Sequence, residues 1–185
     1  MRPTFVLLAG PNGSGKSTLA RTVEFQSLGL EMLNPDDIAK LAPRGSNPLI
    51  WSGREIHRLI DDKIESKVSF AVETTLSGNN HFKTITLCKA ADFYTAMHFV
   101  FVENVTTAMG RVRERVIWGG HDVPEEDQLR RFQRSFENAI KMIALVDEAH
   151  FYNNSDTVPH QRIAQYLKGK PTYIADNAPD WLRRE

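Results

Sequence analysis

The sequence predicts a doubly wound, three-layer α/β fold on a mainly parallel sheet of five strands, with a helical lid over the strand ends. Three observations carry that prediction. Short apolar runs of strand length alternate with stretches whose apolar residues recur at helical spacing. The first run, Phe5 to Leu8, leads into Gly10-Pro-Asn-Gly-Ser-Gly-Lys-Ser17, which reads G-x-x-x-x-G-K-S, and Thr18-Leu-Ala-Arg continues with helical character. The chain of 185 residues, 41% apolar and 25% charged, suits one globular domain over 1–185, because no repeat, low-complexity stretch or linker divides it.

The elements follow in order. Thr4–Leu8 is the first strand and Lys16–Glu24 the helix that leaves the glycine-rich loop. Leu30–Leu33 is a short second strand ending in Asn34-Pro-Asp-Asp37, and helical spacing resumes over Ile38–Leu41. Pro43, Gly45 and Pro48 make a loop before a long helix over Leu49–Lys67, where Ile56, Leu59, Ile60 and Ile64 form one apolar stripe. Ser69–Val72 is a third, buried strand ending at Glu73-Thr-Thr-Leu-Ser-Gly78, and Phe82–Ala91 is helical. Ala96–Val102 has the most strand-like composition of the chain. Thr106–Trp118 is an arginine-rich helix broken by Gly119-Gly120, and Pro124 with Glu125-Glu-Asp opens a helix running to about Glu148. His150–Tyr152 is the last core strand. After Pro159 comes a helix-like stretch, a short strand at Thr172–Ile174 and the aromatic Trp181.

Composition narrows the function. Lys+Arg equals Asp+Glu, so no global field recruits nucleic acid or an acidic membrane. The single cysteine, Cys88, excludes an internal disulfide framework and fits a reducing compartment. The N-terminal apolar run is too short for a signal peptide or membrane span, so a cytoplasmic location is expected.

The glycine-rich loop has a mechanism. Backbone N–H groups from Gly13 to Lys16 can wrap a phosphate, and Gly10, Gly13 and Gly15 allow the tight backbone this needs. Lys16 would reach the β- and γ-phosphates, and the Ser17 hydroxyl would bind Mg²⁺. Gly10, Pro11, Asn12, Gly13, Ser14, Gly15, Lys16, Ser17 and Thr18 are therefore the expected nucleotide site of a P-loop NTPase fold, with ATP and Mg²⁺ as ligands. No Asn-Lys-x-Asp element supports guanine specificity.

Ligands of open α/β sheets lie beyond the carboxyl ends of the strands. Strand two delivers Asp36 and Asp37 there, strand three Glu73, Thr74 and Thr75, and strand four Glu103 with the arginine helix behind it. Phosphoryl transfer to a hydroxyl needs a carboxylate for its proton, a positioned acceptor, Mg²⁺ and cations on the migrating group. Asp36 is the expected general base, the alternative being that Asp36 or Asp37 caps the helix at Ile38. Glu73 would orient substrate or hold a magnesium-bound water, or else cap the next helix, and Thr75 would hydrogen-bond substrate. Arg111 and Arg115, four residues apart, share a helical face as lid cations. Arg130, Arg131 and Arg134 follow the Gly119-Gly120-His121 hinge, with His121 structural or touching substrate. Alternating charge of this kind also fits a solvated helix face.

The ordered set Gly10-Pro-Asn-Gly-Ser-Gly-Lys-Ser-Thr18, Asn34-Pro-Asp-Asp-Ile-Ala39, Glu73-Thr-Thr-Leu-Ser-Gly78, Arg111-Val-x-x-Arg-Val116 and Gly119-Gly-His-x-Val-Pro-Glu125 resembles the short, single-domain branch of the zeta-toxin family of P-loop kinases over about residues 4–155. That resemblance implies transfer from ATP or GTP, with Mg²⁺, to the 3′-hydroxyl of the sugar in UDP-N-acetylglucosamine. It implies Asp36 as catalytic base and Lys16 as phosphate-loop lysine. Glu73 and Thr75 match the family's substrate-contacting Glu-x-Thr, Arg111 and Arg115 its phosphate clamps, and an antitoxin protein is the implied partner. Ser77 stands where typical members carry an arginine, and their larger C-terminal sugar-binding elaboration has no counterpart. A small-metabolite or antibiotic kinase, of gluconate-kinase or chloramphenicol-phosphotransferase type, fits the same residues. So does a nucleotide-dependent switch without turnover.

Overall fold

The computed structural model describes residues 2–119, 123–155 and 159–183. Strand β1 (Thr4–Ala9) lies inside the sheet, and every residue from Phe5 onward is buried. A strand paired on both edges and covered on both faces has no wet side, hence the unbroken apolar run. Its parallel neighbours are β3 (Phe70–Thr74) and β4 (Tyr94–Phe101). Outside β3 lies β2 (Glu31–Leu33), and outside β4 lies β5 (Glu148–Asn153), both again parallel.

Helices cover both faces. On one, Ile56 and Ile60 of α4 (Pro48–Glu65), Ile85 and Cys88 of α5 (Asn80–Ala90), and Ala139 and Met142 of α7 (Glu125–Ile143) share a core with Phe5, Leu7, Val72, Phe99 and Phe151. On the other, Leu19 of α1 (Lys16–Leu19) and Phe25 of α2 (Val23–Gln26) pack on Val6, Leu8, Ala71, Ala96 and Val100. The three-layer α/β expectation holds. The remaining helices, α3 (Pro35–Ala39) and α6 (Val105–Ile117), stand at the carboxyl ends of β2 and β4.

The sheet has seven strands rather than five, in the order β2-β3-β1-β4-β5-β6-β7. The stretch after Pro159 that reads as helical is strand β6 (Gln161–Leu167), which pairs antiparallel with β5 and then with β7 (Lys170–Ile174). Helical propensity loses here to edge pairing, because β5 would otherwise present an open row of amides and carbonyls. Ile163, Ala164 and Tyr166 are buried by that pairing. The hairpin closes on Lys168-Gly169, both at positive φ (50° and 78°), the backbone of a primed two-residue turn.

Two helices also end differently from expectation. The first breaks into α1 and α2 because the Thr22 hydroxyl donates to the Leu19 carbonyl at 2.8 Å and accepts from the Phe25 amide, restarting the helix. Helix α7 stops at Ile143, and Glu148 already belongs to β5. The last turn, Asp180–Leu182, returns to the core: the Trp181 ring lies 5.2 Å from Phe101, 5.2 Å from Phe136 and 5.7 Å from Phe151, each edge-on.

That contact makes the C-terminal segment part of the same cooperative unit. Trp181→Ala is expected to cost about 2–3 kcal/mol, somewhat under the loss at a fully buried aromatic. It should shift one urea-unfolding transition to lower concentration with its slope unchanged. A separate low-stability transition, or no shift, would show the segment to be peripheral.

Candidate active site

The turn from β1 into α1 lies against α6. Gly13 sits at φ +73°, and a Cβ there would stand 2.1 Å from the Ala108 carbonyl oxygen, so only glycine lets the loop pass this close. The amides of Gly13, Gly15 and Lys16 make no hydrogen bond to any described residue. The buried Oγ of Ser14 and Oδ1 of Asn12 are likewise unpartnered. Buried polar groups in folded proteins are ordinarily satisfied. Several donors left open around one turn fit a bound polyanion.

Lys16 is 8% exposed, and its Nζ donates to the Pro11 carbonyl at 3.0 Å. Burial pulls its pKa down to about 8; the Glu73 carboxylate opposes the shift, the Arg115 guanidinium adds to it, and Asp36 opposes it. Three charged groups, from α3, β3 and α6, therefore act on Lys16 here. The Ser17 hydroxyl donates to Glu73 at 3.0 Å (Oε1) and 3.3 Å (Oε2), putting two hard oxygen donors side by side, a fit for Mg²⁺.

Asn34 organises the acidic side. Its Oδ1 accepts from the Asp36 amide at 2.9 Å, so Asn34 caps α3 with Pro35 in the first turn. Its Nδ2 donates to Glu73 Oε2 at 3.1 Å. Neither Asp36 nor Asp37 is the cap, and the alternative raised for them from the sequence fails. The Asp36 carboxylate accepts no hydrogen bond from any described residue. Asp37 turns outward and pairs with Lys40 at 2.6 Å, both largely exposed.

A cleft of about 500 Å³ opens over these groups. Of the sequence-derived candidates it is lined by Asn12, Lys16, Asp36, Glu73, Thr74, Thr75, Arg115 and Arg131. Thr75 Oγ1 meets Ser77 Oγ at 2.9 Å, and Arg131 is held by Asp127 at 3.4 Å. Gly10, Pro11, Gly13, Ser14, Gly15, Ser17 and Thr18 of the loop, with Asp37, Arg111 and Arg134, are outside this lining; Arg111 is half-buried on α6 and Arg134 exposed on α7. His121 lies outside the described residues. Sequence reasoning missed Asn34, Leu49 and Asp127 as wall residues. Asn34-Pro35 carried a helix-start signature that identifies the cap, whereas Leu49 and Asp127 carry no local signal. A smaller cleft of about 280 Å³ between α4 and α5, around His57 and Lys83, shares no residue with this one.

Among the described residues no helix is long and apolar enough to cross a membrane. The chain is 29% identical over 129 residues to an uncharacterized protein of Haemophilus influenzae, covering 68% of this chain and 90% of that one. Its fold is similar to that of the AvrRxo1-ORF1:AvrRxo1-ORF2 complex with sulphate ions, at a TM-score of 0.72 and 17% identity over 98% of this chain and 63% of the other. The same complex with ATP superposes at a TM-score of 0.69 and 17% identity over 93% and 60%. The chain thus spans less than two thirds of that solved relative. It is also similar in fold to the PezAT chromosomal toxin-antitoxin system of Streptococcus pneumoniae, at a TM-score of 0.64 and 15% identity over 82% and 68%. The family model described as an AAA domain (AAA_33) matches residues 5–139, and the chain belongs to that family of P-loop domains.

Proposed function

We propose that the whole chain is one ATP-dependent kinase domain that transfers the γ-phosphoryl group to a hydroxyl of a small acceptor. The observation that carries this reading is the Asp36 carboxylate: it lines the cleft beside Lys16, and Asn34 has taken over the capping that would otherwise occupy it. An unpartnered carboxylate facing the phosphate lysine can take the proton of an acceptor hydroxyl. The acceptor oxygen then bonds to the γ-phosphorus as the bond to the β,γ-bridging oxygen breaks, and ADP leaves with Lys16 and Arg115 beside the developing charge. Mg²⁺ would be held by the Ser17 hydroxyl with Glu73 behind it. Thr75, Arg131 and the apolar wall of Leu49, Val123 and Pro124 would receive the acceptor. The zeta-toxin resemblance supports a UDP-N-acetyl sugar as acceptor, and the fold likeness to the PezAT toxin-antitoxin system supports an antitoxin protein as partner. The ATP complex of the AvrRxo1 relative supports ATP as donor.

Asp36→Asn is nearly isosteric yet cannot take a proton. It is expected to keep ATP affinity while lowering kcat about 10²–10⁴-fold in an ATP-consumption assay with nucleotide sugars, sugars and nucleosides. Asp37→Asn, which loses only a surface pair with Lys40, should turn over like the unmodified protein. A fully active Asp36→Asn protein would remove the base and leave a nucleotide-dependent switch as the reading.

The lowered pKa of Lys16 sets a pH dependence. With no nucleotide bound, Lys16 loses its proton above about pH 8, whereas bound phosphates hold it on, so binding takes up a proton in that range. ATP affinity should therefore weaken above pH 8, approaching about tenfold per pH unit in calorimetric titrations. Lys16→Arg, which stays charged, should flatten the profile. A constant Kd from neutral pH upward would show that Lys16 does not hold the phosphates.

A further inference from the structure

Two side chains from the β5–β6 connection reach the phosphate loop from the far end of the sequence. Asn154 Nδ2 donates to the Ser14 carbonyl at 2.8 Å, and His160 Nε2 stands 3.0 Å from the Gly15 carbonyl. A carbonyl oxygen only accepts, so His160 makes this contact through Nε2–H. These two carbonyls belong to the peptide planes whose N–H groups are those of Gly15 and Lys16. In a planar trans peptide, drawing the carbonyl outward turns the amide inward. Both amides lack a described partner, as a waiting phosphate site requires.

The tether is itself anchored. The Asn154 amide donates to the Phe101 carbonyl at the end of β4 at 2.8 Å, and its Oδ1 accepts from the His160 amide at 3.3 Å. Gly15 sits at φ +100°, and a Cβ there would lie 2.3 Å from Asn154 Nδ2 and 3.2 Å from His160 Nε2. Any larger residue here would strain the backbone and push these two side chains off the loop. Neither residue lines the cleft.

We infer that Asn154 and His160 are positioning residues for the triphosphate: they fix and polarise the Gly15 and Lys16 amides through the opposite ends of their peptide groups. This rests on the nucleotide reading given above. Because they act on the phosphate cradle and not on base or ribose, their loss must weaken inorganic tripolyphosphate as much as ATP.

The test is calorimetric titration of the full chain with Mg·ATP and, separately, with Mg·tripolyphosphate. Asn154→Asp keeps size and the Oδ1 acceptor but sets a carboxylate oxygen against the Ser14 carbonyl, and His160→Ala removes the second donor. Each is expected to raise Kd for both ligands about five- to tenfold, the loss of one hydrogen bond. His160→Gln, whose amide can reach the Gly15 carbonyl, should restore affinity to within about twofold, which a merely structural role for the ring would not produce. It also keeps the test alive if His160→Ala fails to fold. Unchanged Kd values in the variants, a loss confined to ATP, or no rescue by Gln would each overturn the inference. An unmodified protein that binds neither ligand would overturn the nucleotide reading and this inference with it.

Discussion

The Lys16 ammonium is held almost out of water at the carboxyl end of a buried strand, with one of its three donors spent on the Pro11 carbonyl. A pKa pulled from 10.5 to about 8 corresponds to roughly 3 kcal/mol against the charged form. Glu73 and Asp36 work the other way and do not offset burial, partly because Arg115 opposes them. The loop thus carries a cation the protein alone leaves under-compensated. A phosphate chain lying between the lysine and the open amides would supply the missing negative charge. The neighbouring residues follow from that imbalance: glycines let the backbone close around the anion, and Glu73 is held off Lys16 by Ser17 and Asn34.

Sheet order turns that local chemistry into a site. Strand β1 lies between β3 and β4, so the connections after β1, β2, β3, β4 and β5 emerge at one edge of the parallel sheet. Two of these connections bring carboxylates to the cleft: Asn34 and Asp36 follow β2, and Glu73 and Thr75 stand at the end of β3. The other side braces. Glu103, after β4, accepts from Asn153 Nδ2 at 2.9 Å, while its own amide donates to Ser155 Oγ at 2.9 Å. Its carboxylate is occupied in fastening the end of β4 to the end of β5. The β2 and β3 side of the phosphate loop therefore carries the carboxylates of the cleft, while the β4 and β5 side adds Arg115 and the hydrogen bonds that brace the loop.

What the sequence revealed and what it hid divide along the range of the interactions. The phosphate loop was legible because its function lies in contiguous backbone, so spacing alone encodes it. The parallel core was legible from apolar runs of strand length. Strand β6 was not, since the burial of Gln161–Leu167 comes from its pairing with β5 and β7, and its Lys-Gly turn is a weaker hairpin signal than Asn-Gly. Asp36 and Glu73 were legible as cleft residues because one follows a strand closely and the other stands at the end of one. Their division of labour was hidden, because it is decided by Asn34 bonding across 39 residues to Glu73. Arg111 and Arg115 look equivalent on a helical wheel, yet only Arg115 reaches the cleft lining. Which arginine faces inward depends on how α6 is rolled against the loop at Ala108 and Gly13, a tertiary property.

The segment after β3 shows how the Thr75 wall of the cleft is held firm. Leu76 adopts φ +57°, a left-handed backbone that costs a non-glycine residue about 1–3 kcal/mol. It persists because the surroundings over-determine it. Leu76 is fully buried, worth about 1.5–3 kcal/mol for a side chain of this size. The Leu76 amide donates to Thr74 Oγ1 at 3.0 Å, and α7 takes three carbonyls of the loop: Ser135 binds that of Thr75 at 2.5 Å, and Asn138 binds those of Leu76 and Gly78 at 2.8 and 3.4 Å. At about 0.5–1.5 kcal/mol each, these bonds together with burial exceed the strain. The left-handed residue directly follows Thr75, which lines the cleft, and its bonds come from the helix that also carries Asp127 and Arg131. Helix α7 is thereby both the wall of the cleft and the clamp on the loop opposite it, so a movement of α7 shifts Arg131 and Thr75 together.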